Sequence, residues 1–349
     1  MNNDRILWID WVKFLGIFGV IGIHITSPLL SANYLFSSEW YQGVIAGSIF
    51  RFGVILFIMA SGFLILRRKQ TINDIPRRVK RVILPFIFWL IVYAIIKVVF
   101  LKELGPTWNF NDLLGFIYRG LLDPTIISVQ FWYVYMILGL YVISPIMSSW
   151  IQTVSIKEIE YYIWIWIIIS LLQFLNVHSL LFDYFRYFTG AIGYFILGYY
   201  LKIKDEPLYR NIGFGTILFI IGSLITIIGT ITVSFATHNQ SLLFIKLGDL
   251  TPGACLQGIG LFIVVSNTNF DGLNKRINNF VVRVSKNSYG IYLSNILVVN
   301  LLEMLNLVYL KGFTLFSIII YTFIVLFISN LMIEIMDSNP ILRQFSGKR

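Results

Sequence analysis

The sequence predicts an all-α fold: a polytopic helical bundle, integral to a membrane, with about ten transmembrane helices. The first observation is composition, because 57% of the 349 residues are hydrophobic and only 13% are charged. The second is patterning, because the apolar residues collect in runs of about 20, the length that a helix needs to cross a bilayer. This composition leaves little room for a soluble protein, and we expect one domain over residues 1–349.

Ten apolar runs account for the predicted transmembrane helices. They cover residues 6–27, 44–66, 82–101, 131–150, 161–177, 187–202, 212–234, 249–267, 285–303 and 313–336. A shorter stretch, 111–122, is predicted to be either an interfacial helix or a loop. Glycines recur in the first and sixth runs, and we interpret them as points where helices approach closely. They are Gly16, Gly19, Gly22, Gly190, Gly193 and Gly198.

The distribution of lysine and arginine predicts the orientation of the bundle. If the N-terminus is cytoplasmic, about 20 of the 27 basic residues fall on the cytoplasmic side, which is the bias that membrane proteins show. We therefore expect both termini in the cytoplasm. The same loops explain the net charge of +10, so nucleic acid is not expected as a partner. One cysteine and three histidines give no metal-site pattern.

The first run is unusual for a transmembrane helix because it carries Asp10, Lys13 and His24. A central Asp or Lys costs roughly 2.5 to 3.5 kcal/mol in a lipid-facing helix. Successive residues are about 100° apart, so Lys13 and His24 project from nearly one face, about 16 Å apart along the axis. Asp10 lies one turn from Lys13 on the same side. This polar stripe is therefore predicted to face the protein interior, a water-filled cavity or a ligand.

His24 and Arg51 are the candidate catalytic residues. A neutral imidazole accepts a proton from a hydroxyl or forms a transient acyl adduct, and the alternative is a histidine that only bonds to a neighbouring helix. Arg51 is predicted several residues inside the second run, at a depth comparable with His24. It requires an anionic partner, a set of carbonyls or a developing negative charge, unless it extends to the outer interface.

Two other sets of residues suit binding. The stretch 67–81 holds seven basic residues, of which Arg78 and Arg81 suit the phosphates of a cytosolic cofactor, although anionic lipid headgroups suit the same charges. In the ninth run, Tyr289, Tyr292 and Asn295 place hydroxyls and an amide in the membrane. An unpaired amide is costly there, so Asn295 is expected to bond to another helix or to contact a substrate.

Five motifs, in order along most of the chain, resemble the membrane-bound acyltransferase 3 family, whose members are integral-membrane O-acyltransferases that modify bacterial surface polysaccharides. They are RILWID at 5–10 followed by Lys13 and His24, Arg51 followed by FIMASGFL at 57–64, the basic run into Pro85, FWY at 131–133 leading to GLY at 139–141 and Pro145, and SYGIYL at 288–293.

The resemblance implies an O-acetyltransferase in the plasma membrane of a bacterium. Acetyl-CoA is the implied acyl donor, with no permanently bound cofactor, and an extracellular or lipid-linked glycan is the implied acceptor. The implied residues are His24 and Arg51 for catalysis, Asp10, Lys13, Arg78 and Arg81 for the donor, and Trp132, Tyr289, Tyr292 and Asn295 for the substrate.

Three positions depart from the family pattern. Lys13 stands where the family commonly has arginine, and Gln130 and Asn295 stand where it often has histidine. Lysine keeps the charge but lacks the planar fork that binds two oxygens. His24 is then the one histidine expected in the membrane interior. Longer members carry a fused extracellular esterase-like domain, whereas here the membrane domain is expected to deliver the acyl group itself.

Two other functions fit the same residues. A polar cavity among ten helices also suits a transporter or flippase for a glycan intermediate, although no inverted repeat is visible in the sequence. The second is a membrane domain that binds a ligand or partner without chemistry.

Overall fold

The computed structural model describes residues 5–30, 35–175, 190–237, 251–305 and 314–348. Within these ranges the chain is helical and contains no β-strand, so the all-α prediction is confirmed. The helices are α1 (Leu7–Thr26), α2 (Ser38–Ile49), α3 (Phe52–Leu66), α4 (Ile75–Val99), α5 (Phe110–Leu122), α6 (Trp132–Ile151), α7 (Ile156–Phe174), α8 (Ala191–Ile203), α9 (Ile212–Thr237), α10 (Pro252–Asn267), α11 (Lys275–Met304) and α12 (Thr314–Ser338).

Each predicted apolar run overlaps at least one helix, and the short stretch at 111–122 coincides with α5. The predicted ends at 176–177, 187–189, 249–250 and 313 lie outside the described residues. In the described chain, six helical stretches are long and apolar enough to cross a membrane. They are Leu7–Leu30, Ser38–Leu66, Ile72–Val99, Val129–Ile151, Ile212–Thr237 and Leu315–Ser338.

The other long helices explain why six stretches are found where ten were predicted. α8 and α10 are apolar but have only 13 and 16 residues. α7 and α11 have 19 and 30 residues, but α7 begins with Lys157, Glu158 and Glu160, and α11 carries buried amides at Asn287 and Asn295. The number of ten and the cytoplasmic placement of the termini therefore stay predictions.

α4 and α11 begin upstream of the apolar runs that predicted them, at residue 75 instead of 82 and at residue 275 instead of 285. Their first turns are charged, so hydropathy misses them, but local caps favour a helix. Before α4, Asp74 accepts hydrogen bonds from the backbone N–H and the hydroxyl of Thr71 at 3.0 and 2.9 Å, which cap the 3-10 turn Ile72–Asp74 that leads into the helix, and Pro76 lies in the first turn of α4, where proline is favoured. The Asn274 side chain likewise accepts from the backbone N–H of Arg276 at 2.8 Å.

α1 lies inside the bundle, packed against α2, α3, α10, α11 and α12. Glycines allow this close packing, because a Cβ added at Gly22 would lie 2.4 Å from the Phe50 ring. The contact between α3 and α8 is closer still, since a Cβ at Gly62 would lie 1.7 Å from the carbonyl oxygen of Phe195. The interpretation of the α1 glycines as close-approach points is confirmed.

The three glycines of the sixth run have two different roles. A Cβ at Gly193 would lie 2.1 Å from the Trp166 ring, and one at Gly198 would lie 2.2 Å from the carbonyl oxygen of Met59. A Cβ at Gly190 would meet no described atom within 4 Å, and the φ of Gly190 is +83°. Packing is therefore the wrong explanation for Gly190, which supplies a left-handed backbone just before α8.

The second predicted run is two helices, because α2 ends at Ile49 and α3 begins at Phe52. Arg51 lies in the interruption, and its backbone N–H donates to the carbonyl of Ser48 at 3.4 Å. The prediction that Arg51 lies inside a continuous helix is wrong. Residues 50 and 51 are neither proline nor glycine, but the Gly47–Ser48 pair precedes the break, and such pairs are a known site of helix kinks.

Replacing Gly62 with alanine tests the contact between α3 and α8. Its Cβ would meet backbone rather than a movable side chain, so we expect a loss of about 2 kcal/mol or more and a lower melting temperature in detergent. Gly139→Ala in α6 is the matched control, because no described atom lies within 4 Å of the added Cβ and alanine favours a helix by up to about 1 kcal/mol. Equal melting temperatures for the two variants would contradict this packing.

Candidate functional site

Asp10 anchors the start of α1 to α11. Its side chain is buried, and it accepts hydrogen bonds from Nε and Nη2 of Arg5 at 2.7 and 2.6 Å. The hydroxyl of Ser285 on α11 donates to the same carboxylate at 2.6 Å. Three donors therefore stabilise a charge that hydrocarbon would not tolerate. The hydrogen bonds of Asp10 give it an anchoring role. A role for Asp10 in a channel for the acyl donor stays a prediction.

A cavity lies beside Lys13, one turn further along α1. Its walls come from α1, α3, α6 and α11. The lining residues are Lys13, Phe57, Ser61, Tyr133, Ile137, Ser288, Tyr289 and Tyr292. It offers about 40 Å³ to the centres of water-sized molecules, about three times what one water needs. The lining residues provide one cationic side chain and five hydroxyl groups and include no carboxylate. Such a lining suits a ligand group that carries oxygen atoms.

The tyrosines of the cavity are held by neighbouring helices. Tyr289 donates its hydroxyl to the carbonyl of Val82 on α4 at 2.8 Å, and Tyr292 donates to the carbonyl of Gln130 at 2.6 Å. The rings of Tyr133 and Tyr292 have centroids 4.8 Å apart. Lys13, Tyr289 and Tyr292 are candidate binding residues from the sequence, and all three line this cavity.

Arg78 lies near the α4 residue whose carbonyl holds the cavity residue Tyr289, on the side that the sequence predicts to be cytoplasmic. It is on α4, one turn before Val82, and its Nη2 donates to the side-chain oxygen of Gln70. Gln70 is itself buried and fixed, because its backbone N–H donates to Ser148 at 2.9 Å and its amide donates to the carbonyl of Ile65 at 2.8 Å. The guanidinium is therefore preorganised.

Arg81 has a different environment from Arg78. It is exposed at the surface of α4, whereas Arg78 is partly buried. A surface cation contributes less to binding than a preorganised one because water and salt screen it. Of the two arginines proposed for a cofactor, the structure favours Arg78.

His24 and Arg51 form the second part of the site. His24 is partly exposed and lies on α1 about three turns beyond Lys13. Arg51 is 6% exposed, and its charge is near enough to act on the imidazole of His24. The expectation that the two residues lie at comparable depth agrees with this proximity. His24 is not among the residues that line the cavity at Lys13, so the site has two separate centres.

Asn295 and Trp132 are placed differently from what the sequence suggested. The Asn295 amide donates to the carbonyls of Ile291 and Tyr292 in its own helix, at 3.1 and 2.7 Å. The expected bond to another helix is therefore wrong, and the Asn295 carbonyl oxygen accepts no hydrogen bond from the described residues. Trp132 is partly exposed at the start of α6 and does not line the cavity.

Several lining residues were not selected as site residues from the sequence. Phe57, Ser61, Tyr133 and Ser288 reach the cavity. Each of them lies in one of the motif strings at 57–64, 131–133 and 288–293. The signal was present in those motifs, but a lone serine or an aromatic residue in an apolar helix is more often a packing residue.

The two centres support different chemistry. A cation and hydroxyl donors around a small cavity bind a carbonyl or an anionic oxygen. An imidazole beside a guanidinium provides a base and a stabiliser for developing negative charge. Both centres lie on one face of α1.

Comparison with known proteins supports a specific family. A protein-family model described as an acyltransferase domain matches residues 6–333. This range holds every predicted site residue, from Asp10 to Asn295. Searches of the curated proteins and of the solved structures gave no significant match.

The pair formed by Arg5 and Asp10 gives a stability test. Asp10→Leu leaves Arg5 and Ser285 without their acceptor, so we expect a loss of about 3 kcal/mol, the low end for a buried pair because the Arg5 side chain is 28% exposed. The double variant Arg5→Leu/Asp10→Leu removes both charges and should melt at a higher temperature than Asp10→Leu alone. Strictly additive losses would show that the two side chains do not interact.

Proposed function

This chain belongs to the membrane-bound acyltransferase 3 family, and from that membership we propose that it is an O-acetyltransferase acting across a bacterial plasma membrane. It moves an acetyl group from cytosolic acetyl-CoA to a hydroxyl of a surface polysaccharide or of its lipid-linked precursor. The observation that carries the proposal is the arrangement on α1, with a cationic cavity at Lys13 and the pair of His24 and Arg51 beyond it.

The donor binds from the cytoplasmic side. Its phosphates pair with Arg78, which Gln70 orients, and to a lesser extent with exposed Arg81. The thioester end enters the cavity, where Lys13 and the hydroxyls of Ser61 and Ser288 face it. The small free volume supports a short acyl group such as acetyl. Coenzyme A leaves as a product, so no cofactor stays bound.

The transfer takes place at the second centre. His24 takes the proton from the acceptor hydroxyl, and that oxygen attacks the thioester carbonyl, whose developing negative charge Arg51 stabilises. The carbon–sulfur bond then breaks, and the thiolate takes the proton from His24. An alternative route passes the acetyl group to His24 first and from there to the hydroxyl.

The distance between the two centres sets a requirement on this mechanism. Lys13 and His24 are about 16 Å apart along α1, so the thioester must travel along that helix face before it reacts. The cavity at Lys13 supports this route. A thioester bound there is already about 10 Å further along α1 than the N-cap residue Ile6, so less of the path remains. If a whole glycan moved along the same face of α1 instead, the protein would be a transporter.

Release of coenzyme A is the measurement for the catalytic pair. Purified protein with acetyl-CoA and isolated surface polysaccharide should release thiol, and His24→Gln or Arg51→Gln should lower the rate by about 10²- to 10⁴-fold. Arg119→Gln is a matched control, because Arg119 is exposed on α5. Transport of unmodified glycan without thiol release would favour the transporter, and full activity of both variants would exclude their catalytic role.

The donor site predicts a difference between adjacent arginines. Arg78→Gln should raise the KM for acetyl-CoA about 10- to 100-fold with little change in kcat, because a charge-assisted bond contributes about 1.5–3 kcal/mol. Arg77→Gln removes the same charge from a side chain that is 69% exposed and should have little effect. Acetyl-dephospho-CoA, which lacks the 3′-phosphate, identifies the phosphate that Arg78 binds. The difference in KM between the two variants should shrink with this donor if Arg78 binds the 3′-phosphate, and it should persist if Arg78 binds the diphosphate. Equal KM values for the two variants would contradict a donor site at Arg78.

A further inference from the structure

The interruption between α2 and α3 follows the Gly47–Ser48 pair, a type of site where helices kink, and a contact from another helix acts at the same place. In a continuous α-helix the carbonyl of Ser48 would accept the N–H of the residue four positions later, Phe52. Here that carbonyl accepts from the N–H of Arg51 at a long 3.4 Å. It also accepts from the side-chain amide of Gln257 at 2.8 Å. The shorter of these bonds comes from α10, 209 positions away in the chain.

Gln257 is well placed to hold the break. It is fully buried, and the same amide nitrogen donates to the hydroxyl of Ser223 on α9 at 3.1 Å. That hydroxyl donates in turn to the carbonyl of Phe219 at 2.8 Å. A side chain that inserts into the hydrogen-bond ladder of a helix is a recognised cause of a sharp kink. Gln257 occupies the acceptor that would otherwise continue α2 into α3.

The break determines where Arg51 lies. Arg51 is the residue immediately before α3, with φ −61° and ψ −16°, and it is buried close to His24. This ψ differs from the value of about −42° in a regular α-helix, so the chain does not continue along the axis of α2 here and Arg51 is placed differently from a residue in an uninterrupted helix. The position of Arg51 near His24 thus depends on the conformation of the chain at the break.

We propose that Gln257 is a positioning residue that sets Arg51 against His24 by holding the Ser48 carbonyl out of the helix ladder. It touches neither substrate nor donor and acts through the backbone of α2. Its catalytic consequence rests on the proposed function, whereas its effect on the helix geometry does not.

Kinetics test the catalytic part. Gln257→Met keeps the length of the side chain and removes the amide donors, and Gln257→Leu is a second variant. Each should lower kcat for polysaccharide acetylation at least 10-fold, since a displacement of about 1 Å costs up to 10²-fold, while the KM for acetyl-CoA stays unchanged. Ser223→Ala, which leaves the bond to Ser48 in place, is the control. A donor KM that rises as kcat falls would overturn the proposal.

A double variant separates positioning from a general loss of stability. If Gln257 acts only through Arg51, Gln257→Met/Arg51→Gln should be no slower than Arg51→Gln alone. Multiplied losses would overturn the proposal. So would failure of both Gln257 variants to fold while Ser223→Ala folds, because Gln257 would then have a structural role.

The helix geometry is tested without any enzyme assay. Spin labels at Glu39→Cys and Arg67→Cys, in a Cys255→Ala background, span the break from exposed sites on α2 and beyond α3. Gln257→Met should move their distance towards about 42 Å, the length of a continuous helix over that span, and Ser223→Ala should not. An unchanged distance overturns the proposal. Absence of thiol release by the wild type, with the distance change present, overturns the proposed function alone.

Discussion

Hydrocarbon cannot solvate ionisable side chains, and this constraint governs the arrangement of the bundle. Because α1 carries Asp10, Lys13 and His24, it cannot face lipid, and five helices surround it. Glycines bring the neighbouring backbones close enough to enclose it, as at Gly22. Asp10 obtains a cation and a hydroxyl from within the protein. The polar stripe therefore becomes an interior surface on which chemistry can take place.

The same constraint explains the division of the site into two centres. In the function that we propose, donor phosphates need cations that water can reach, and Arg78, which donates to Gln70, is the residue proposed to meet this need. The proposed acceptor reaction needs a base and a cation shielded from the cytoplasm, and His24 with Arg51, about 16 Å beyond Lys13 along α1, is proposed to supply them. The proposed reaction would connect a water-soluble donor with an acceptor on the other side of the bilayer, which accounts for two separate centres.

The sequence predicted the helices well and the local irregularities poorly. Hydropathy finds apolar helices, so all ten runs overlap helices of the structure. The polar stripe on α1 followed from helical periodicity alone. The charged starts of α4 and α11 were missed because amphipathic turns outside the membrane carry no hydropathy signal. Gly190 was assigned to packing because a sequence does not report a backbone angle.

The break at Arg51 involves a tertiary contact, whereas the hydrogen bonds of the Asn295 amide stay within its own helix. In our proposal the break is held by Gln257, which is 209 positions away, whereas the local sequence indicates it only through the Gly47–Ser48 pair. Asn295 was expected to bond across helices, but it bonds to its own turn. Lys13, Tyr289 and Tyr292 meet at one cavity. All three lie in or beside the motifs that the sequence shares with the family, so the motifs indicated which residues face the site.

The central claim is that an acetyl group crosses the bilayer within this chain. It is tested most directly by an assay in sealed vesicles that keep the acyl donor and the polysaccharide acceptor on opposite sides of the membrane. Radiolabelled acetyl-CoA would be enclosed with the predicted cytoplasmic face of the protein inward, and surface polysaccharide would be supplied outside. The account predicts labelled polysaccharide outside, free thiol inside, and loss of both with His24→Gln. Label that appears only when acetyl-CoA and polysaccharide are on the same side of the membrane would contradict it.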